Sequence, residues 1–328
     1  MIHHHPSYRP DAVLIVNYHN LLPAGGHRFP GLRGVTIDVF ERHLVSLNHQ
    51  FVPLKSAALL PLCMTERPGQ QGYLITFDDG CQDIFDGALP LLRRHGAPAI
   101  IFCCSQPYLE HRVLNVQKTH LLNGRWGWDR FQKKFQAALE SIKEPWEMED
   151  SRHLCLARMY RYDSDDAAQF KRQLNVELPY RIVDKVLDLL FEAEFGPQAD
   201  AVRKLYLSPD AIRRCADAGI AIGLHTHSHR MLSRLSSADQ ARELDLSMAY
   251  FREEFGLEIT TLSYPYGIKG SWNQHTKTLA AENGITIGLT LGRQVYDPEI
   301  HQDHFEIPRY DVNDVFDQWG SLKSDLLP

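Results

Sequence analysis

YLITFDDG, residues 73–80, is an apolar run that ends in two carboxylates and a glycine. Its front half is β-branched and aromatic, it is too short for a helix, and Gly80 punctuates it, so it reads as a buried strand opening into a turn. Upstream lie a second such run, AVLIVNYH (12–19), and a helical pattern, DVFERHLVSLNHQ (38–50). Downstream follow ALPLLRRHG (88–96) and APAIIFCCS (97–105). Strand, helix, strand, helix, strand at this spacing predicts βαβ units, hence an α/β fold class with a parallel sheet or barrel.

The alternation stops after residue 105. From 106 to 207 the chain is helix-like and rich in aromatic and charged residues, with GWDRFQKKFQAALESI, DAAQFKRQL and RIVDKVLDLLFEAEF separated by Pro145, Pro179 and Pro197. Because the alternation resumes at once, this segment reads as a helical insertion within a single domain spanning 1–328. SPDAIRRCADAG (208–219) offers Ser208 as N-cap, Pro209 at the first helical position and Gly219 beyond the end. A strand (220–225), a helix (237–256), TTLSYPYG (260–267), a helix (273–284), a strand (285–290) and a last strand, FEIPRYDV (305–312), complete the reading.

With 328 residues and 44% hydrophobic content the chain can bury a sizeable core. Lys plus Arg number 35 against 41 Asp plus Glu, a net of −6, which argues against a polyanionic partner such as nucleic acid. The six cysteines show no CxxC spacing, and Cys103–Cys104 sit in an apolar run, so buried thiols in a reducing compartment are expected. The start, MIHHHPSYRPDAVLIVNYHN, lacks a basic segment followed by a 7–15-residue apolar stretch. No run approaches the roughly 18 apolar residues of a membrane span. A cytoplasmic protein with no membrane span is the expectation, and His3–His5 read as a disordered start. Oligomeric state has no signal in the sequence.

In parallel α/β folds, sites form from loops at the C-terminal ends of strands. His19, Asp78 with Asp79, His225 to His229, and Tyr264 to Gly267 all fall at such ends. HTHSH puts three imidazoles within five residues, enough for two rings to bind a divalent metal while a carboxylate supplies a third ligand and water takes an open position. His225 with His227, or His225 with His229, can form that pair. The adjacent aspartates fit the same scheme: a cation on one offsets its charge, and the other stays ionised as a general base.

TFDDG (76–80), HTHSH (225–229) and SYPYG (263–267), in that order, resemble the signature motifs of the polysaccharide deacetylases, the NodB-homology or carbohydrate esterase family 4 group. The resemblance covers roughly 1–105 and 208–312. It implies a distorted (β/α)7-type barrel that removes N- or O-acyl groups from sugars with a divalent metal, Zn²⁺ first, with Co²⁺, Mn²⁺, Ni²⁺ or Fe²⁺ as alternatives. It implies Asp78 as general base and Asp79, His225 and His229 as metal ligands, with His227 at a variable position. Tyr266 matches a groove tyrosine whose backbone amide helps hold the oxyanion.

Two positions depart from the pattern. Ser263 stands where many members have an arginine that holds the base, and Arg309 in IPRYDV is the candidate replacement. The usual Leu-x-His general acid is not evident. A branch resembling the poly-N-acetylglucosamine deacetylases takes its acid from a Tyr-His motif on the first strand, and NYHN makes His19 the candidate here. His111, His120, His301 and His304 are held in reserve.

The expected substrate is an N-acylated amino sugar, nucleotide- or lipid-linked, in surface polysaccharide or lipopolysaccharide biosynthesis. A catalytically silent sugar-binding relative is one alternative. A PHP-type phosphoesterase, suggested by His-x-His in LHTHSH, is another, although it leaves TFDDG unexplained. Trp126 and Trp128 read as packing within a cap over the barrel mouth, with stacking on sugar as the other role.

Overall fold

The computed structural model describes residues 11–23, 25, 26, 29, 32–54, 71–149, 159–317 and 319–323. His3–His5, Cys63 and Cys155 lie outside them. The apolar runs form six strands: β1 (Val13–Tyr18), β2 (Gly72–Phe77), β3 (Ala99–Cys103), β4 (Ala221–Leu224), β5 (Thr261–Ser263) and β6 (Ile287–Thr290). Each pairs in parallel with the next.

Residues 305–312 behave differently from one continuous strand. They form β7 (Ile307–Pro308) and β8 (Tyr310–Asp311), separated at Arg309. β7 pairs with β6, and β8 pairs with β1 through Val16↔Tyr310 and Asn17↔Asp311. One segment thus bridges both edges of the sheet and closes an α/β barrel. The bend at Arg309 lets it change partners, which a straight strand could not do.

Both faces of the strands are buried, which explains why the runs read as continuously apolar. Val13 and Ile15, Leu74, Ile100 and Phe102, Ile287 and Leu289, and Ile307 pack together inside the ring. The alternate residues, such as Leu14, Val16, Ile75, Phe77 and Ile101, join a larger cluster with Phe40, Leu44, Ile212 and Phe251 from the surrounding helices. Those helices include α1 (Ile37–Gln50), α2 (Leu89–His95), α8 (Pro209–Asp217), α9 (Ser237–Phe255) and α10 (Gln274–Glu282). The Ser208 hydroxyl accepts from the Ala211 N–H, the expected cap on α8. Inside the ring, Gly223 faces Phe102: a Cβ there would lie 2.4 Å from the ring, so no side chain fits.

Between β3 and β4 run α3 (Asn115–Trp126), α4 (Trp128–Glu140), α5 (Asp165–Arg172), α6 (Tyr180–Phe195) and α7 (Gln198–Leu205). They have their own apolar centre, with Leu122, Phe131, Phe135, Phe170, Ile182 and Val186 buried together. Trp126 and Trp128 pack against that centre; the ring centroids of both lie 6.2 Å from Phe131. Among the described residues no helix is long and apolar enough to cross a membrane, and Cys81, Cys103, Cys104 and Cys215 are free and buried.

Just past β2, the Asp83 carboxylate accepts from the Leu21 N–H at 2.6 Å. Burial pushes its carboxyl up to about 7 despite that bond. A folded-state value above the unfolded one, about 3.9, means that its contribution to stability is complete below pH ~4 and is lost as pH rises through about 7. Asp83→Asn keeps an acceptor for Leu21 and cannot ionise. It should match the parent in urea titrations near pH 4 and exceed it at pH 8 by up to about 4 kcal/mol; equal stability at pH 8 would refute the assignment.

Candidate active site

β2 ends at Phe77, so the two aspartates lie in the turn beyond the strand rather than within it. Asp78 still donates its backbone N–H to Tyr18 O at 3.0 Å, holding the turn to the end of β1. Asp79 and Gly80 then take left-handed backbone conformations, φ 71° and 66°. The conformation is costly for an aspartate and turns its side chain out of the strand's alternation. Thr226, His229 and Tyr266 share it, at φ 65°, 57° and 68°. Four of the six described non-glycine residues with positive φ therefore cluster in the loops after β2, β4 and β5.

Arg309, at the strand break, points into the top of the ring with no solvent exposure. Its Nη1 and Nη2 reach Asp78 Oδ1 and Oδ2 at 3.0 Å each, a two-pronged ion pair. Nη1 also meets Asn17 Oδ1 at 2.8 Å and Thr76 Oγ1 at 3.1 Å, Nη2 meets Ser263 Oγ at 2.7 Å, and Nε donates to Thr290 O at 3.3 Å. Asn17 Nδ2 donates to Asp78 Oδ2 at 3.0 Å. Every side of a buried charge is thereby partnered. A serine at 263 is small enough to leave room for the guanidinium arriving from 309 and supplies an acceptor for it.

Asp79 faces the other way. Its Oδ1 lies 3.6 Å from His225 Nε2 and 3.5 Å from His229 Nε2. One ligand atom from each of the three lies within 4.8 Å of the others, and all three residues are buried. His225 Nδ1 lies 2.8 Å from Ser263 O, an arrangement that puts its proton on Nδ1 and leaves the Nε2 lone pair toward Asp79. Asp79 Oδ1 has no hydrogen-bond partner despite its burial. A divalent cation fits this donor set: two imidazole nitrogens, one carboxylate oxygen and an orphaned acceptor between them.

The electrostatics separate the two aspartates. Burial raises both carboxyls, but Arg309, assisted by His225, holds Asp78 well below the usual carboxylate range. Asp79 stays raised because burial outweighs the nearby histidines. Burial also lowers His225 and His229 to about 4 each, so both rings are neutral at pH 7, as metal ligation requires.

His227 is turned away from this cluster. Its Nδ1 lies 2.8 Å from Ser105 Oγ and its Nε2 3.0 Å from Glu110 Oε1. The geometry thus separates His227 from the pair, and with it goes the His-x-His arrangement. His19 lines the same cavity as Asp78, Asp79, His225, His229 and Tyr266. Of the reserve histidines only His120 joins them there; His301 bonds to Gln294 and the Asp297 carbonyl, and His111 and His304 are exposed.

Three residues at the site went unread in the sequence. Asn17 and Thr76 face inward on β1 and β2, and their only signal is a polar residue in an otherwise apolar alternation. Gln117, on α3, donates to Asp79 Oδ2 at 2.9 Å. It is buried on the helix face that carries Leu121, so a glutamine at apolar spacing was the available clue.

Residues 182–288 match the family model described as polysaccharide deacetylase. Over that segment, about a third of the chain, the sequence is similar to that family. That segment holds His225, His229, Ser263 and Tyr266, whereas His19, Asp78, Asp79, Gln117 and Arg309 lie outside it. YxkH of Bacillus subtilis, provisionally described as a polysaccharide deacetylase, is 32% identical over 97 residues, a match covering 29% of this chain and 32% of that protein. Among solved structures, the Streptococcus pyogenes deacetylase PplD in complex with acetate superposes with a TM-score of 0.56 at 14% identity, covering 93% of each chain. IcaB from Ammonifex degensii gives 0.51 at 17% identity, again covering 93% of each. These two share the barrel fold of this chain.

Proposed function

We propose that this protein is a metal-dependent deacetylase that hydrolyses the amide of an N-acylated amino sugar, with Zn²⁺ as the first-choice metal. The observation that carries the reading is the buried triad of Asp79, His225 and His229 beside an Asp78 held ionised by Arg309. A nucleotide- or lipid-linked sugar of surface polysaccharide or lipopolysaccharide assembly is the proposed substrate, in the cytoplasm. Four buried free thiols support that compartment.

Asp79, His225 and His229 would hold the cation. A divalent ion in such a setting acidifies water to a pKa of about 7 and polarises a carbonyl. Asp78 takes the proton of the attacking water as the C–O bond forms. The Tyr266 backbone N–H donates to the oxygen that gains charge. His19 gives a proton to the amine nitrogen as the C–N bond breaks, leaving a free amine and a carboxylate.

The proposal is tested by incubating protein loaded with Zn²⁺, Co²⁺ or Mn²⁺ with a panel of N-acetylated and N-formylated sugars and glycosides and assaying acetate and formate. Release from at least one member supports it, and release from none under any of the three metals overturns it. Gln117 is proposed to steady Asp79. Gln117→Leu should weaken Zn²⁺ binding about 10–100-fold in competition with a chelating dye, and unchanged affinity would remove it from the site.

A further inference from the structure

The helices between β3 and β4 do more than sit above the barrel: they are fastened around most of its rim. At the β2 side Gln117 bonds Asp79, and Leu207 N donates to Gly80 O at 2.9 Å. Past β4, Arg230 pairs with Asp184 at 2.6 Å, and the buried Arg234 reaches the carbonyls of Asn175 at 2.5 Å and Leu178 at 2.9 Å. Past β5, Tyr266 Oη bonds Asn175 Oδ1 at 2.9 Å. Past β8, Arg161 and Tyr162 both bond Asp314.

The cavity over the aspartates and histidines has a volume of about 300 Å³. Eight of its seventeen lining residues come from this cap, among them Val116, Gln117, His120, Tyr160, Lys171 and Asn175. Among the described residues the end of β1, at His19, Asn20 and Arg33, makes no such hydrogen bond to the cap, although Phe29 and Leu32 beyond it pack against cap residues that include Phe191 and Phe195. There the cavity shares lining residues with a second one of about 540 Å³, which runs out past Tyr162, Asp311 and Asn313.

We infer that the site is a one-ended pocket: it admits a single amino sugar or the terminal sugar of a chain, and excludes the interior sugars of a polymer. An interior unit needs an exit on both sides of the bound ring. Among the described residues the inner end is closed by hydrogen bonds between Tyr266, Asn175 and Arg234. A volume of 300 Å³ sits at the small end of the range for small-molecule sites, about 300–1,000 Å³. The remainder of the substrate then occupies the outer cavity, beside His19 and Arg33. This inference rests on the proposed deacetylase reading and narrows its substrate.

The test uses the full-length metal-loaded protein and β-linked N-acetylglucosamine and N-acetylgalactosamine series from the monosaccharide glycoside to the hexasaccharide. Acetate is measured, the deacetylated unit is located by mass spectrometry, and binding is measured calorimetrically on the same series. Turnover at one terminal unit only, with rates that level off after the disaccharide, is expected. Deacetylation of interior units, or rates that keep climbing with length, overturns the pocket inference while leaving the deacetylase reading intact. If no member releases acetate, binding alone decides the pocket, and the deacetylase reading is judged separately on the wider panel of N-acylated sugars: affinity that plateaus after two sugars supports the pocket, and affinity that grows with every added sugar overturns it.

Discussion

Arg309→Met should be among the most damaging single substitutions in the protein. It leaves the Asp78 carboxylate buried without its cation and opens vacancies at Asn17, Thr76, Ser263 and the Thr290 carbonyl together. Removing one partner of a buried pair costs about 3–5 kcal/mol, because the remaining charge cannot be resolvated. The loss carries a pH signature. In the parent, Asp78 has a depressed folded-state pKa, so its contribution is present above the unfolded value of about 3.9 and is lost as pH falls toward the folded value. In the variant burial outweighs the histidines and the Asn17 amide that remain, the folded pKa rises above the unfolded one, and stability is lost as pH rises instead. The stability gap between the two proteins should therefore widen from pH 4 to pH 7 in denaturant titrations, and a gap independent of pH would show that the ion pair is not what Arg309 contributes.

Asp78→Asn should separate binding from chemistry. An asparagine preserves the shape and accepts from Arg309 through its oxygen, but it cannot take a proton. Removing a positioned general base lowers turnover by about 10²–10⁴-fold, whereas the proposed ligands Asp79, His225 and His229 remain. The expected outcome is retained Zn²⁺ stoichiometry and acetate release reduced by that factor. Turnover unchanged by the substitution would exclude Asp78 as the base. Turnover absent in both proteins, with sugars still bound, would favour the silent sugar-binding reading.

The convergence of Asp78, Asp79, His225 and Tyr266 was legible because each follows an apolar run, and parallel strands deliver their C-terminal ends to one rim. Arg309 was legible as a strand-end residue with no arginine in the Pro-Tyr motif to compete with it. Its effect on the backbone was not. FEIPRYDV reads as one strand, and only the closing of the ring, with β7 on β6 and β8 on β1, requires the break at 309. The contribution of α3 escaped for a different reason. Gln117 reaches Asp79 from 38 residues away, and tertiary contact between a cap and a turn leaves no periodic trace in either segment. The orientation of His227 was open from spacing alone and is decided by Ser105 and Glu110, which bind both ring nitrogens.

Asp79, His225 and His229 are proposed to hold a divalent metal beside Asp78. Anomalous diffraction at the zinc edge, from crystals grown with Zn²⁺, addresses it most directly. One strong peak is expected about 2.0–2.2 Å from a carboxylate oxygen of Asp79 and from Nε2 of His225 and of His229, absent from Asp79→Ala. A peak at His227 and Glu110 instead, or none at the three residues under saturating Zn²⁺, would contradict it.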